Sequence, residues 1–118
     1  YGIYSVYFWN AQEGIAYGGS FLSPKDASAN LATTKDGGKT WKLQAVNENP
    51  GYKSCVQFVP GIKGQGVVAL GFTGISYSKD GGLHWETLSD ASFYTLRFAN
   101  SNTAYAAGKG AMAKLVFY

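Results

Sequence analysis

Thr34-Lys35-Asp36-Gly37-Gly38-Lys39-Thr40-Trp41 and Ser78-Lys79-Asp80-Gly81-Gly82-Leu83-His84-Trp85 are two copies of one pattern, their aspartates 44 positions apart. In both, a hydroxyl residue stands two places before Asp, Gly-Gly follows it, and Trp closes the stretch. Asp-Gly turns a chain tightly because Gly adopts positive φ without steric cost. The carboxylate can accept N–H groups of its own turn, the hydroxyl can bond across it, and the indole can cover it. Each stretch therefore reads as a rigid hairpin clip built on Thr34, Asp36, Gly38 and Trp41, or on Ser78, Asp80, Gly82 and Trp85. A motif that recurs at this period signals a repeat architecture.

The segments flanking the clips repeat as well. Strand-like runs Ile3 to Asn10, Ser54 to Val59 and Phe93 to Phe98 each turn back into a second run, Ile15 to Gly19, Val67 to Gly71 and Thr103 to Gly108. In the first two units a third strand enters the clip, Asn30 to Thr34 or Ile75 to Ser78, and a fourth leaves it, Trp41 to Gln44 or Trp85 to Leu88. The third unit has Ala111 to Tyr118 as its third strand and no fourth. The boundaries read as 1–47, 48–90 and an incomplete 91–118. Sixteen Gly and only three Pro, among many Thr, Val and aromatic residues, agree with short strands and tight turns. The expected class is all-β, with four-stranded antiparallel units of propeller type.

The clips resemble Asp-box (BNR) repeats. More closely, Gly37 to Trp41, Gly51 to Val56 and Ala104 to Leu115 are similar to bacterial propellers related to the photosystem II stability and assembly factor, some of which carry oxidoreductase or glycosyl hydrolase labels. The resemblance covers essentially the whole chain and implies a β-propeller of about two and three-quarter blades. A ring must close, because isolated blades leave sheet edges unprotected. The expectation is a C-terminal part of a ring of about six to eight blades, closed by the remaining blades of the same chain, with closure by a homo-oligomer as the alternative. The chain begins at Tyr1 without a leader, as a processed or longer polypeptide would. The resemblance further implies an extracytoplasmic location, periplasmic, cell-surface or secreted.

Charge narrows the functions. The formal net charge of +3 comes from scattered Lys residues and one Arg, Arg97, with no run that would track phosphates, so nucleic acid is not expected as a partner. No apolar run is long enough to span a membrane as a helix. Cys55 is the only Cys and His84 the only His, and His84 falls inside a clip, so a Cys–His nucleophile is not expected. No dinucleotide loop, CxxC or metal-ligand cluster appears, and no cofactor or metal is expected. A sialidase needs clustered arginines, and this chain has one. Outside the clips the acids are Glu13, Asp26, Glu48, Glu86 and Asp90, none in a motif that would pair two carboxylates for glycosidase work.

Binding is therefore the expected role, and catalytic residues are not expected in this segment. The starts of the innermost strands line the channel mouth in propellers, pointing to Tyr4, Ser5, Tyr52, Lys53, Ser54 and Tyr94 as possible ligand contacts. An insertion from Ser20 to Ala29 in the first unit could carry a binding loop, with Phe21 and Leu22 to watch, or could be ornamental. Trp41 and Trp85 read as packed clip lids. Trp9 reads as core or inter-blade packing, with an exposed sugar or partner contact as the alternative. The resemblance implies a non-enzymatic assembly module that recognises a protein partner. The alternative is a carbohydrate-binding or sialidase-like propeller whose catalytic residues lie outside this segment.

Overall fold

The computed structural model describes residues 2–20, 22–61, 65–100, 102–108 and 110–116. It is all-β among those residues and consists of three antiparallel sheets. The first sheet runs in the order β1 (Gly2–Phe8), β2 (Gly14–Gly19), β3 (Leu31–Thr34) and β4 (Lys42–Leu43). The second repeats it with β5 (Cys55–Phe58), β6 (Val67–Gly71), β7 (Gly74–Ser78) and β8 (Glu86–Ser89). The third holds β9 (Thr95–Asn100), β10 (Thr103–Gly108) and β11 (Ala111–Val116). Each chain segment enters its sheet at one edge and steps strand by strand toward the other.

The sheets stack face to face because the middle strands β2 and β6, and the inner edge strand β5, are buried on both faces. Ile15, Tyr17 and Leu31 of the first sheet meet Val56, Phe58, Val67 and Ala69 of the second. On the opposite face of the second sheet, Cys55, Val68, Leu70 and Ile75 meet Leu96, Ala104 and Ala106 of the third. Alternation along β5 explains the split: Val56 and Phe58 turn to one neighbour, Cys55 and Val59 to the other. Trp9 is half-buried against the first of these cores, so its packing is between sheets.

Sequence and structure differ at several strand ends. The run from Phe93 begins two residues later as a strand, because Phe93 is buried in the connection and its N–H donates to Gly71 O (3.2 Å). The fourth strand of the first sheet shrinks to Lys42–Leu43, since Gln44 N–H already bonds Leu31 O (3.0 Å) and Ala45 then takes positive φ. Phe117 and Tyr118, assigned to the last strand from sequence, lie outside the described residues.

Candidate functional site

The two clips fold alike. Asp36 Oδ1 accepts from Thr34 Oγ1 (2.8 Å) and from Thr40 N–H (2.9 Å), and Oδ2 accepts from Thr40 Oγ1 (2.6 Å). Asp80 receives Ser78 Oγ (2.8 Å), His84 N–H (2.8 Å) and His84 Nδ1–H (2.5 Å) in the matching places. Gly38 and Gly82 sit at φ of +94° and +103°, which a side chain would strain, and their N–H groups donate to Thr34 and Ser78. Each indole N–H returns to the carbonyl of that same Gly.

The lids differ in what they cover. Trp85 packs edge-on against Tyr17 of the first sheet, with ring centroids 5.6 Å apart. Trp41 rests on Phe8 of its own sheet and stays 41% exposed, contrary to the packed lid expected from sequence. The reason is positional: clip two lies against the preceding sheet, and no described sheet covers the equivalent face at clip one.

These bonds set the acid behaviour. The Thr40 hydroxyl and N–H, then Thr34, hold Asp36 at about 2, below its ordinary 3.8. Burial pulls Asp80 upward, but the His84 and Ser78 donors outweigh it and also leave it at about 2. A carboxylate depressed by folding stabilises the protein above its unfolded value, and that contribution is lost as pH falls from about 4 to about 2. Denaturant midpoints should therefore drop over that interval, and the Asp36→Asn/Asp80→Asn double variant should flatten the drop. His84 moves the other way: its hydrogen bond to Asp80 raises its pKa above 6.5, so its contribution is full below 6.5 and fades as pH rises through the raised value. Ser78→Ala should cost about 1.5 kcal/mol by chemical denaturation, because it strands the buried Gly82 N–H.

The residues expected at the channel mouth divide into two kinds. Tyr4 and Tyr94 are more than half exposed, at 53% and 55%. Tyr52 is buried between Tyr4 and Phe72, with ring centroids 5.3 and 4.9 Å away. Ser54 Oγ donates to Tyr94 O (3.2 Å), joining the second sheet to the third. Lys53 is buried rather than presented: its Nζ donates to Thr73 Oγ1 (2.8 Å), and burial lowers its pKa to about 8.

The insertion is tied down by residues that sequence reading passed over. Asn49 Nδ2 donates to Ala27 O, Asn30 Oδ1 and Ala45 O, while its Oδ1 accepts from Asn30 Nδ2 and Gly51 N–H. Tyr52 N–H adds a bond to Pro24 O (2.9 Å). Gly51 permits the close approach, at φ +85°, where a Cβ would come within 2.3 Å of Pro24 O. Leu22 is 90% exposed at the tip of the loop, and Phe21 lies outside the described residues.

The edge strands β1, β5 and β9 lie side by side and border an open cavity of about 440 Å³. Ser5, Tyr7, Cys55, Gln57, Arg97 and Phe98 are among its lining residues. Side chains knit the edges: Ser5 Oγ accepts from Val56 N–H (3.1 Å) and Cys55 Sγ lies 3.9 Å from Leu96 O, while within β9 Arg97 Nη1 donates to Leu96 O (2.7 Å). The Cys55 thiol is thus buried against a backbone carbonyl, while His84 stays bonded to its clip aspartate. Gln57 and Arg97 were not singled out from sequence as ligand contacts. The signal was present as one amide inside the apolar run Cys55 to Val59 and the only guanidinium of the chain.

No family model matches the chain, and no curated protein does. Among solved structures, the chain is similar to the one described as "YCF48 bound to D1 peptide", with a TM-score of 0.72 at 20% identity. The match covers 98% of this chain, which spans 37% of the length of that one. Three stacked antiparallel sheets, entered from their inner edges and superposing on that fold, make this chain a set of β-propeller blades similar in structure to YCF48.

Proposed function

We infer that this chain is a binding and assembly module that recognises a protein partner across the inner edges of its blades. The observation that carries the reading is the cavity bordered by β1, β5 and β9, where three strands present polar and aromatic side chains to one open space. A neighbour in fold solved with a peptide bound supports a protein as the ligand. A rigid scaffold suits this task, because contacts held by packed strands need little ordering on binding. The remaining blades, from the same chain or from further copies, would complete the ring, and an extracytoplasmic setting follows from the sequence resemblance.

A glycan remains the second reading, favoured by the exposed rings of Tyr4 and Tyr94, which can stack on sugar faces. Display selection from a random peptide library, run beside a glycan array, separates the two. Convergent peptides with no glycan signal are expected. Glycan binding without peptide enrichment would replace the first reading by the second.

A further inference from the structure

Gln57 is 94% buried, at 6% exposure, yet its side-chain amide makes no hydrogen bond among the described residues. Ser76 Oγ is the one buried side-chain polar atom without a partner among the described residues, so the Gln57 amide is not sealed in the core but open to the space beside it. It lines the same cavity as Arg97. The Arg97 guanidinium gives one N–H to Leu96 O and keeps others free. The only ion pair among the described residues is His84 with Asp80, so no described carboxylate neutralises Arg97. No Asp or Glu stands among the residues that line the cavity. A cation without a counter-ion and an amide without a partner face one volume large enough for a side chain.

We propose that this cavity receives an acidic side chain of the protein partner. The carboxylate pairs with the Arg97 guanidinium, whose planar fork matches it. The Gln57 amide hydrogen-bonds the same carboxylate or the peptide group that carries it. Ser5 is already committed to Val56 N–H and holds the neighbouring edge in place. The pairing forms at an exposed guanidinium beside an open cavity, so its preference for a carboxylate over the neutral amide is modest and falls with salt. This rests on the protein-binding reading and adds the chemistry of what is bound.

The probes are the capped tripeptide acetyl-Gly-Glu-Gly-amide and its glutamine isostere, titrated into the isotopically labelled chain and followed by NMR. The glutamate peptide is expected to shift the Gln57 side-chain amide and the Arg97 Nε–H together, and to bind about tenfold more tightly than the isostere. Arg97→Gln, an exposed position that leaves the fold intact by thermal melting, should abolish that preference. Gln57→Leu should weaken both peptides. Raising salt should reduce the glutamate affinity and leave the isostere unchanged. Equal binding of the two peptides, or shifts elsewhere only, overturns the proposal even if the library yields binders. A library that yields no binder overturns the protein-binding reading instead, while the tripeptide titration still reads the Arg97 cavity directly.

Discussion

Asn49→Ala is expected to be the most damaging single substitution away from the hydrophobic core, lowering stability by about 3 kcal/mol. Its amide joins the insertion, through Ala27, to the turn at Ala45 and to Asn30, and accepts the Gly51 N–H. Removing it leaves the Asn30 side chain, in a residue only 1% exposed, with one remaining partner among the described residues, the carbonyl of Gly51. Each lost bond is worth about 1 kcal/mol net, and stranding buried polar atoms adds to that, although the terms overlap because they share one network. The midpoint of chemical denaturation should fall accordingly. Limited proteolysis should then cut first between Ser20 and Ala29, since that segment loses its tether. A melt close to the parent with the loop still resistant would mean that Pro24 O to Tyr52 N–H holds the loop without Asn49.

Lys53→Met is expected to act in the opposite direction, raising stability at pH 7 by about 2 kcal/mol once solvent screening is allowed for. At neutral pH the ammonium is charged, buried and, among the described residues, hydrogen-bonded only to the Thr73 hydroxyl. Burial holds its pKa at about 8, against 10.5 when unfolded. Between those values the unfolded chain binds a proton that the folded chain does not, so stability should climb as pH rises from about 8 to about 10.5. It should fall back as pH is lowered through the same window. Methionine keeps the stem and removes the charge, and the Thr73 hydroxyl still donates to Tyr52 O (2.8 Å). The variant should therefore lose the alkaline climb as well as gain stability at pH 7. A destabilised Lys53→Met with an unchanged pH profile would show that the ammonium is compensated by a partner beyond Thr73.

The parts of this fold that were legible in the sequence are those that depend on short-range chemistry. Thr34 to Trp41 and Ser78 to Trp85 contain their own donors, acceptors and positive-φ glycines, so a hairpin could be read from eight residues. The repetition of strand, turn, strand and glycine then led to stacked sheets. The structure carries the same order in three sheets. What stayed hidden depends on contacts that no local pattern encodes. The Asn30–Asn49 pair spans 19 residues and joins a loop that occurs in only one unit. Lys53 looked like a cation at a channel mouth, but its direction was set by packing between sheets, which turned it inward onto Thr73. Trp41 and Trp85 are equivalent in sequence and unequal in burial, because among the described residues only the second leans on a neighbouring sheet.

The candidate site shows the same division. Tyr4 and Tyr94 read as possible ligand contacts at strand starts, and in the structure both are more than half exposed. Gln57 does not, since an amide within an apolar run reads as a tolerated polar residue until its lack of a partner is seen. In the sequence alone, Arg97 says only that the chain lacks the clustered arginines of a sialidase. Its meaning comes from the adjacency of β1, β5 and β9, whose cavity residues are drawn from three separate sheets.

Hydrogen–deuterium exchange of the chain with and without the tightest peptide recovered from the library locates the bound peptide on the blades. Binding across the inner edges predicts slowed exchange in Ser5 to Tyr7, Cys55 to Gln57 and Arg97 to Phe98, with Lys35 to Trp41 and Lys79 to Trp85 unchanged. Protection confined to the two clips, or absent from all three inner strands, would contradict it.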